Sequence, residues 1–558
     1  MRLSVGYNFG MELRKGLLHF VTGDIADDAE TRRKFSRDTS IFERPPAVVV
    51  YPKDAQDVAA IVRFAHTARE HGEKVSVTGR SAGTDMTGGP LNDSIILSFT
   101  KYMNHMIEIG DDYAIAEPGL YYRDFERQTL ARNGKLLPSY PASRELCAIG
   151  GIVSNNSAGE LTLRYGKTER YIAELNVVLS DGSPATLRAL TRSELNEKKA
   201  LQTLEGDIYR RMHELIEKNS TIIEAARPKV SKNSSGYALW NVYDKRKDTF
   251  DLTKVIAGSQ GTLAMVTRAK LNLVKTKEHR AMVVMFLSDL NILPEIVHRV
   301  LKFDPESFES YDDHVFQLAV RLLPQMLKQL GLAKAIRIGL AFLPEVGMVI
   351  MGGVPKLILM AEFAEDSQEA AREKAREVRH VLSDLSLQTK LAFGASAEKY
   401  WTIRRETFAL LRKNSHGLYA APFIDDFVVD PDTYPKFLPE LNALLSEYDL
   451  IYTISGHVGN GNFHIIPLMN LADPKAHHTI DELTTKVCDL VIKYHGSITG
   501  EHNDGIIRTP YVEKMFGSQV YELFKQTKHI FDPLNVFNPG KKVGGQIADI
   551  EKFMIKKI

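Results

Sequence analysis

The sequence predicts an α+β fold, and three features of its pattern carry this prediction. A helical stretch at 54–72 precedes a short strand and a glycine-rich loop. The dipeptide Asp181-Gly182 lies between two apolar runs, which is typical of a β-hairpin. Beyond about Leu273, strand-like segments alternate with long helical ones. Mixed helix–strand units and hairpins together favour the α+β class.

The first third of the chain supplies helices and strands in alternation. Val58, Ile61 and Val62 fall on one face of a helix, which we expect to begin after an Asp54 N-cap and to stop at Gly72. Glycine is suited to the left-handed residue that ends many helices. The further elements predicted here are strands at 75–77 and 95–99 and a helix at 121–134.

The second half has longer helical stretches between its strands. The predicted elements are a strand at 281–287, a helix at 365–382, a strand within FIDDFVVD (423–430) and a helix at 487–495. The run FDPLNVFNPGKKV (531–543) closes the fold. No internal repeat or low-complexity tract stands out.

Length and composition restrict the class of protein. A chain of 558 residues exceeds one ordinary core, so we expect two or three domains. Its 44% hydrophobic and 25% charged residues are typical of a folded soluble protein. A net charge of +1 gives no global argument for nucleic acid. Cys147 and Cys488 are far apart, which excludes a disulfide framework and a CxxC-type iron–sulfur site and favours a reducing compartment.

Neither a signal peptide nor a membrane span is predicted. Charged residues interrupt every apolar run of the first 20 residues. The segment 314–344 lacks acidic residues, while Arg321, Lys328, Lys334 and Arg337 stand among its leucines and isoleucines. This pattern suits an amphipathic surface on anionic lipid, and it equally suits a partly buried helical pair with basic edges. We expect a cytoplasmic protein, with peripheral contact at the inner face of the cytoplasmic membrane on the first interpretation.

Three glycine clusters are candidates for ligand binding. They are GRSAGTDMTGG (79–89), CAIGGIVSNNSAGELTLRYG (147–166) and IAGSQGTLAMVTRAKL (256–271). Glycines in the first loop would expose backbone N–H groups to an anion such as a phosphate. The first loop is neither a P-loop nor a GxGxxG fingerprint. Each cluster alone is equally typical of turns, but three in this order are a stronger signal.

With these motifs the chain resembles the FAD-linked oxidases of the vanillyl-alcohol oxidase (PCMH) type, in the D-2-hydroxyacid dehydrogenase branch. The resemblance runs from about Pro45 to Val543 and includes GRSAGT, PASRELCAIGGIVSNNSAG, RYG, AGSQGT and the closing NPGK. It implies non-covalent FAD, since GRSAGT offers neither the histidine nor the cysteine of tethered relatives. Arg80 stands where the family has a small residue, and Gln260 replaces a common glutamate. The cofactor-binding residues implied are Gly79, Arg80, Ser81, Ala82, Gly83, Thr84, Asp85, Pro141, Ser143, Gly150, Gly151, Asn155, Asn156, Gly166, Gly258, Gly261, Thr262 and Asn538.

Two histidine motifs predict a metal site. A turn at Gly459-Asn460-Gly461 within GHVGNGNFH (456–464) would let His457 and His464 face one point, and Glu501 of GEHNDG adds a carboxylate. This ligand set suits Zn²⁺ or Mn²⁺ with open positions for substrate. Plain hydrogen bonding by loop histidines is the alternative. The resemblance favours the metal, because both stretches match the metal motifs of the family.

The remaining site residues follow from the chemistry and from the resemblance. A histidine can be poised as a base near neutral pH, so His502 is the candidate general base, with a hydrogen bond or a fourth metal ligand as the alternatives. The resemblance assigns Arg404 of YWTIRRETF to the substrate carboxylate, in preference to Arg405. The further substrate candidates are Asn462, Tyr237 and Asn233, while Asp425 and Asp426 stay unassigned and Arg412 or Lys413 would serve a second carboxylate.

The resemblance implies an FAD-dependent dehydrogenase that oxidises D-lactate, or a similar D-2-hydroxyacid, to the 2-oxoacid. D-2-hydroxyglutarate oxidation or a glycolate-oxidase-type subunit is the alternative. An external quinone, cytochrome or electron-transfer flavoprotein would take the electrons. A non-catalytic FAD-binding subunit and a flavin-free metallohydrolase are alternatives of other classes.

The same resemblance implies the domain organisation. The expected segments are an N-terminal extension at 1–44, a PCMH-type FAD-binding domain of two α+β subdomains at 45–275, an α+β substrate (cap) domain with an antiparallel sheet at 276–500, and a C-terminal segment at 501–558 that returns to the flavin.

Overall fold

A computed structural model describes residues 12–313, 355–385, 387–413 and 418–556, with the backbone alone at 406–413. Within these residues the strands form three sheets, which follow one another along the chain. The amphipathic segment predicted at 314–344 and the side chains of Arg412 and Lys413 lie outside the described part.

The first sheet has the order β1-β2-β4-β3. Its strands are β1 (Asp24–Ala26), β2 (Val48–Tyr51), β3 (Val77–Arg80) and β4 (Ile95–Ser98). Strands β2 and β3 both pair with β4 in parallel, whereas β1 joins β2 antiparallel. The helix Ala55–Glu70 packs Val58, Ile61 and Val62 into the same core as this sheet. The spacing of the apolar residues in the sequence therefore correctly predicts the buried face of this helix.

The second sheet is antiparallel in the order β5-β6-β11-β7-β8-β10-β9. Its strands are β5 (Met106–Ile109), β6 (Tyr113–Ala116), β7 (Ile172–Val178), β8 (Pro184–Thr191), β9 (Tyr243–Asp244), β10 (Thr249–Asp251) and β11 (Met265–Asn272). The predicted Asp181-Gly182 turn joins β7 to β8, where Asp181 Oδ1 accepts the N–H of Ser183 and Gly182 has a φ of 81°. The hairpin prediction is confirmed.

The third sheet is antiparallel and has the order β15-β12-β14-β13-β18-β19-β16, with β17 also paired to β19. Its strands are β12 (His279–Leu287), β13 (Ser307–Asp312), β14 (Leu357–Glu365), β15 (Gln388–Ala392), β16 (Tyr419–Ala420), β17 (Phe427–Val428), β18 (Ile451–His457) and β19 (Asn462–Met469). This sheet carries the histidines of GHVGNGNFH at the end of its β18–β19 hairpin.

Helices cover and connect the three sheets. Their bounds are Ala29–Phe35, Ala55–Glu70, Tyr122–Asn133, Ile149–Asn155, Thr162–Tyr165, Arg192–Ala200, Leu204–Lys218, Ser220–Ala225, Thr253–Ile256, Leu293–Leu301, Gln368–Val381, Ala395–Lys413, Tyr434–Ser446, Pro474–Lys493, Gly505–Arg508, Val512–Phe531 and Ile547–Phe553. Within the described residues, no helix combines the length and the apolar character needed to cross a bilayer.

The C-terminal part of the chain packs against the first two sheets. Leu523 and Phe524 of the helix Val512–Phe531 belong to the core of the second sheet. Phe537 belongs to the core of the first sheet, and the Val77 N–H donates to the Val536 carbonyl at 2.8 Å. Residues from both ends of the described chain therefore share these hydrophobic cores.

The α+β class is confirmed, and so are most of the predicted elements. The helix expected at 121–134 is observed at Tyr122–Asn133 and ends at Gly134, which has a left-handed φ of 68°. The strand expected at 75–77 starts two residues later and runs into the glycine loop, because its partner β4 sets the register. The helix expected from residue 365 starts at Gln368, after the Ser367 cap, and Glu365 ends β14.

Candidate functional site

A cavity of about 340 Å³ lies between the three glycine clusters and the end of the β18–β19 hairpin. The glycine loops form one part of its wall. The other part comes from Arg404 and Arg405, from His464 and Ile466 of β19, and from the segment containing Glu501 and His502. The cavity thus brings together the two groups of motifs that the sequence separates by hundreds of residues.

The first glycine loop leaves β3 and turns along the cavity. Gly83 has a φ of 71°, a conformation that strains residues with a side chain. The N–H groups of residues 82–84 donate to no protein acceptor in the part of the chain that the structure describes. A loop with free N–H groups facing a cavity is suited to an anionic ligand such as a phosphate.

Arg80 is buried, and each of its two outer nitrogens donates to a backbone carbonyl. Its guanidinium donates to the carbonyls of Arg37 at 2.8 Å and Phe35 at 3.3 Å, and it lies 5.2 Å from the centre of the Phe35 ring. Arg80 therefore ties the loop to the preceding helix Ala29–Phe35. The departure from the small residue of the family is explained by this packing.

The second glycine cluster forms the helix Ile149–Asn155, which touches the first loop at one glycine and opens to the cavity at the next. A Cβ on Gly150 would lie 2.6 Å from Ser81 Oγ and 2.7 Å from Pro118 Cβ. A Cβ on Gly151 would meet no atom within 4 Å, and Gly151 lines the cavity. The pair therefore allows close packing on one side and leaves room for a ligand on the other.

Asn538 connects the first and third glycine loops. Its side-chain amide donates to the carbonyls of Gly89 at 2.9 Å and Gln260 at 2.8 Å. The side-chain oxygen Oε1 of Gln260 accepts the Gly505 N–H at 2.9 Å. Asn538 thus acts on the cavity through the two loops it joins, as a positioning residue.

Most of the predicted cofactor-binding residues border the cavity. Those that do are Gly79, Arg80, Ser81, Ala82, Gly83, Thr84, Asp85, Pro141, Ser143, Gly150, Gly151, Asn155 and Gly261. Those set behind this lining are Asn156, Gly166, Gly258, Thr262 and Asn538. The free N–H groups of the first loop and the open space at Gly151 fit an extended ligand with a phosphate-bearing part and a flat part, as FAD has.

The two histidines of GHVGNGNFH meet as their spacing predicts. His457 ends β18 and pairs with Asn462, the first residue of β19, across a turn at 458–461. Gly461 has a φ of 72°, and a Cβ there would lie 1.8 Å from the Val429 carbonyl oxygen. The two imidazole rings lie 5.4 Å apart, centre to centre. The predicted turn is confirmed, and its glycine is required by space as well as by backbone conformation.

The Nε2 atoms of the site histidines converge on one carboxylate oxygen. Glu501 Oε1 lies 3.3 Å from Nε2 of His457, 3.3 Å from Nε2 of His464 and 3.7 Å from Nε2 of His502. We call these four residues the histidine–Glu501 cluster. His502 is the most exposed member, with 21% of its side chain accessible. Three imidazole nitrogens and one carboxylate oxygen are a donor set suited to Zn²⁺ or Mn²⁺.

Carboxylates on the far side of the rings fix the orientation of all three histidines. Nδ1 of His457 lies 2.6 Å from Glu309 Oε1. The two oxygens of Asp425 lie 2.8 Å from His464 Nδ1 and 2.7 Å from His502 Nδ1. Such carboxylates place a proton on Nδ1 and direct Nε2 toward the centre of the cluster, as in many metal sites.

The local charges follow from this arrangement. Burial alone would lower the pKa of His464, but the nearby charges of Asp425 and Glu501 outweigh it and raise this pKa to about 10. Burial alone would raise the pKa of Glu501, but Lys232 and His457 hold it well below its usual value. The buried carboxylates are therefore ionised at neutral pH, and they favour a positive charge at the centre of the cluster.

Asp426 lies near the cluster, but its carboxylate accepts hydrogen bonds from the backbone. One donor atom each from Asp426, His464, Glu501 and His502 lie within 4.8 Å of one another. The oxygens of Asp426, however, already accept the N–H groups of Glu501 and His502 and the hydroxyl of Thr499. We therefore consider His457 a better candidate ligand than Asp426, because its Nε2 faces Glu501 without another partner.

Lys232 is a member of the site that the sequence did not single out. Its Nζ lies 3.4 Å from Glu501 Oε2 and 3.4 Å from Asn462 Oδ1, and its side chain is fully buried. Glu501 thus pairs one oxygen with lysine and presents the other to the histidines. The run KNSSGY marks this region in the sequence, but only the fold shows that its lysine reaches Glu501.

The two arginines of the helix Ala395–Lys413 have different surroundings. Arg405 pairs with Glu160 through two nitrogens, at 2.5 and 3.1 Å. Arg404 has one nitrogen 3.3 Å from Glu309, and its buried Nε has no hydrogen-bond partner among the residues that the structure describes. Both line the cavity, but Arg404 retains free donors for a carboxylate.

The other predicted substrate residues lie outside the cavity lining. The Asn462 side chain donates to Asp426 Oδ1 at 3.1 Å and faces Lys232. Tyr237 is buried, with its hydroxyl 2.7 Å from Thr262 Oγ1, because its ring packs against Phe524. Asn233 contacts Ser497, whose hydroxyl donates to it. Asn462 therefore organises the cluster, whereas Tyr237 and Asn233 support the loops around it.

Two family descriptions match the chain. Residues 276–542 match "FAD linked oxidases, C-terminal domain", and residues 46–188 match "FAD binding domain". The match at 276–542 covers Arg404, Arg405 and the histidine–Glu501 cluster, and the match at 46–188 covers two of the three glycine clusters; the third cluster (256–271) lies between the two matches. The two matches support FAD as the cofactor.

Several curated relatives are similar along most of the chain. A D-2-hydroxyglutarate dehydrogenase of Pseudomonas putida is 28% identical over 93% of this chain, and the chain spans about half (50%) of its length. A glycolate oxidase subunit of Bacillus subtilis is 25% identical, with 90% of each chain covered. A D-lactate dehydrogenase of Archaeoglobus fulgidus is 26% identical, with 89% of this chain and 91% of the relative covered.

Solved structures share the fold at low identity. The 4-ethylphenol oxidase of Gulosibacter chungangensis has a TM-score of 0.68 at 14% identity, with 96% of this chain and 97% of that chain covered. A p-cresol methylhydroxylase has a TM-score of 0.66 at 14% identity, with 97% of each chain covered. The fold is thus the predicted PCMH-type architecture.

Proposed function

Because the chain belongs to the FAD-linked oxidase family, a family of FAD-dependent oxidoreductases, we propose that it oxidises a D-2-hydroxyacid to the corresponding 2-oxoacid. One observation carries this proposal. His464, Glu501 and His502 of the histidine–Glu501 cluster lie with Arg404 in the wall of the same cavity as the glycine loops. A substrate placed there would contact polar groups suited to its carboxylate and hydroxyl while facing the cofactor.

Arg404 would bind the substrate carboxylate. Its partly free guanidinium can donate two parallel hydrogen bonds, which fix orientation as well as affinity. Arg405 is less suited, because Glu160 already occupies its donors. A carboxylate held by Arg404 would place the neighbouring hydroxyl on the side of the histidine–Glu501 cluster.

His457, His464 and Glu501 would hold a divalent cation, Zn²⁺ or Mn²⁺. Such a cation would make the substrate hydroxyl more acidic and fix its position. The residues fit this role because the Nε2 atoms of His457 and His464 face the same Glu501 oxygen, while Glu309 and Asp425 hold the rings from behind.

His502 would accept the proton of the substrate hydroxyl at Nε2. It lines the cavity, and the negative charge of Asp425 beside Nδ1 stabilises the protonated ring. Burial alone would lower the pKa of His502, but Asp425 and Asp426 outweigh it and raise this pKa. The ring is therefore a proton acceptor with a favourable protonated state.

FAD would take the hydride from the α-carbon at flavin N5. Residues 82–84 would donate N–H groups to its phosphates, and Gly151 would leave space for the rest of the cofactor. Non-covalent attachment follows from the absence of histidine and cysteine in the loop GRSAGT.

The choice of acid, the electron acceptor and the domain limits belong to the same proposal. D-lactate, the first choice from the sequence, and D-2-hydroxyglutarate, supported by the names of the relatives, are the first two acids to compare. An external quinone, cytochrome or electron-transfer flavoprotein would reoxidise the flavin. We retain the division into an FAD domain at 45–275, a substrate domain at 276–500 and a C-terminal segment from 501.

Anaerobic reduction of the bound flavin tests this function. We expect the purified yellow protein to lose its flavin absorbance on addition of one or a few D-2-hydroxyacids, and to do so much faster than with the L-enantiomers. Replacing His502 with Asn is expected to slow this reduction at least a hundredfold while flavin stays bound. A colourless protein, or a flavin that no 2-hydroxyacid reduces, would refute the proposal.

A further inference from the structure

Glu309 lies at the centre of a contact that joins two proposed functional residues. It belongs to β13, whose residues are all buried, and 2% of its side chain is accessible. Oε1 lies 2.6 Å from Nδ1 of His457, and Oε2 lies 3.3 Å from Nη2 of Arg404. The two oxygens of this carboxylate therefore contact two different residues, the proposed cation ligand His457 and the proposed substrate-binding Arg404.

The three residues come from three separate elements. His457 ends β18, the strand next to β13, and Arg404 stands on the helix Ala395–Lys413. No backbone pairing fixes the distance between that helix and His457. The Glu309 carboxylate supplies this link, because it contacts both side chains directly.

We propose that Glu309 is a positioning residue, which directs Nε2 of His457 toward the cation and the guanidinium of Arg404 toward the substrate carboxylate. This inference rests on the proposed function of the site. One carboxylate would then align the cation and the substrate carboxylate relative to each other.

The contact with His457 determines which ring nitrogen is free. A carboxylate beside Nδ1 keeps the proton there, so that the lone pair of Nε2 points at Glu501 and a cation. Without Glu309 the ring can rotate or carry its proton on Nε2. We therefore expect a weaker cation site when the acceptor at Nδ1 is removed.

The contact with Arg404 leaves the guanidinium partly available. Glu309 engages Nη2, whereas the buried Nε has no partner. A guanidinium held by one arm keeps its plane fixed and its remaining N–H groups free for a second carboxylate. Loss of the negative charge would release this plane and weaken substrate binding.

Two substitutions separate the two roles. Glu309→Gln keeps an oxygen that accepts from His457 Nδ1 but removes the charge beside Arg404. We expect an approximately tenfold higher KM with little change in the metal dissociation constant. Glu309→Ala removes both contacts, so we expect in addition a metal dissociation constant about 10- to 100-fold higher.

Glu306→Gln is the matched control. Glu306 immediately precedes β13, is fully buried and pairs with Arg280 at 2.9 Å. It should report the effect on folding alone of neutralising a buried glutamate close to Glu309 in the sequence. We expect its metal dissociation constant and KM to stay near those of the wild type.

The experiment measures three quantities on the flavin-loaded proteins. Chelator competition gives the metal dissociation constant, the change of flavin absorbance on adding the 2-oxoacid product gives ligand affinity, and anaerobic reduction gives kcat and KM. Equal values for the wild type and both Glu309 variants would overturn the inference, and so would equal losses in Glu306→Gln. If Glu309→Ala does not fold, the KM and product affinity of Glu309→Gln decide the question alone.

Failure of the proposed function gives a different result. A wild-type protein that binds no divalent cation and is not reduced by any 2-hydroxyacid would overturn the proposed function and this inference together. A wild type that binds the cation and is reduced, with unchanged Glu309 variants, would overturn this inference alone.

Discussion

The candidate metal site depends on carboxylates that do not face its centre. Asp425 contacts two histidines through separate oxygens, at 2.8 and 2.7 Å. It is fully buried, and although burial alone would raise its pKa, His502 and His464 lower this pKa well below its ordinary value. Its charge is thus present at neutral pH, and it stabilises the orientation of both rings.

Neutralising Asp425 is expected to weaken the cation site. We predict that Asp425→Asn raises the dissociation constant for Zn²⁺ or Mn²⁺ about 10- to 100-fold, because a neutral amide removes the negative charge beside Nδ1 of both His464 and His502. The measurement is chelator competition followed by metal analysis. Asp366→Asn is the control, since Asp366 is 89% exposed and pairs with Lys277 at the surface; the same loss in this control would contradict the prediction.

At the scale of residues, the sequence predicts what local spacing encodes. His457 and His464 lie seven positions apart around a glycine turn, so their meeting follows from the hairpin. Glu309 and Lys232 carry no comparable signal. Glu309 contacts His457, 148 positions later, and Lys232 contacts Glu501, 269 positions later. These contacts depend on the order of the strands in the third sheet and on the packing of the loops.

At the scale of elements, the β18–β19 turn is restricted by space. The Cβ of any side chain at Gly461 would lie 1.8 Å from the Val429 carbonyl oxygen, much closer than atoms can approach. The turn is therefore packed against the strand region that follows β17. A change here would move His457 and His464 relative to each other.

Substitution of Gly461 is expected to cost more stability than its backbone conformation alone explains. We predict that Gly394→Ala, at a φ of 51° with no atom near its Cβ, costs about 1 kcal/mol of unfolding free energy. Gly461→Ala should cost at least about 2 kcal/mol more and lower the cation affinity. Denaturant titration of both variants measures these losses of unfolding free energy. Equal losses would contradict the prediction, because they would show that the structure accommodates the Cβ at residue 461.

The short helix Ile149–Asn155 gives a second test at this scale. We predict that Gly151→Leu folds normally but binds FAD at least tenfold more weakly, because its side chain extends into the cavity. Gly150→Ala should instead destabilise the protein, since its Cβ would meet Ser81 and Pro118. Flavin content after dialysis and thermal unfolding of the flavin-free proteins distinguish the two effects; loss of stability in Gly151→Leu would contradict the assignment of open space.

The elements themselves could largely be predicted, and their arrangement could not. The helix ending at Gly134 and the hairpin at Asp181-Gly182 follow from local turn chemistry. The pairing of β13 with both β14 and β18 joins segments far apart in sequence and has no local signal. The strand predicted at 75–77 starts two residues later because its partner β4 sets the register, and the helix predicted at 487–495 is observed at Pro474–Lys493.

At the scale of the whole molecule, polar contacts join the segment 160–165 to the third sheet. The Tyr165 hydroxyl donates to Glu306 at 3.1 Å, and Arg164 donates to the Ala364 carbonyl at 3.0 Å. Arg405 binds Glu160 through two nitrogens. Behind these contacts, Glu362 accepts from Trp401 Nε1 at 3.0 Å. Several buried carboxylates thus lie close together along this contact.

Stability is expected to depend on pH through Glu362. Burial, the largest effect, and the nearby charge of Glu306 raise its pKa from 4.5 to about 7, although Trp401 and Arg280 oppose this rise. The folded protein therefore holds more protons than the unfolded chain between these values, and this contribution to the unfolding free energy falls as pH rises from about 4.5 to 7.

Glu362→Gln is expected to flatten this dependence, since the amide still accepts from Trp401 and does not ionise. The difference between variant and wild type should change by about 2 kcal/mol between pH 5 and pH 7.5. Urea titrations followed by Trp401 fluorescence in a Trp240→Phe background give the measurement, because these are the two tryptophans of the chain. Parallel pH profiles of the two proteins would assign the dependence to other groups.

The residues that support the histidine–Glu501 cluster are far from it in the sequence, and this separation affects when the site can form during synthesis. Glu309 lies 148 positions before His457, and Lys232 lies 269 positions before Glu501. Contacts of such separation form late, after the intervening chain has been ordered. During synthesis the earlier residues therefore fold without their partners, and a cation has no complete set of donors on the growing chain. We accordingly expect metal loading to follow synthesis of residue 502, as a step of maturation that depends on cation supply.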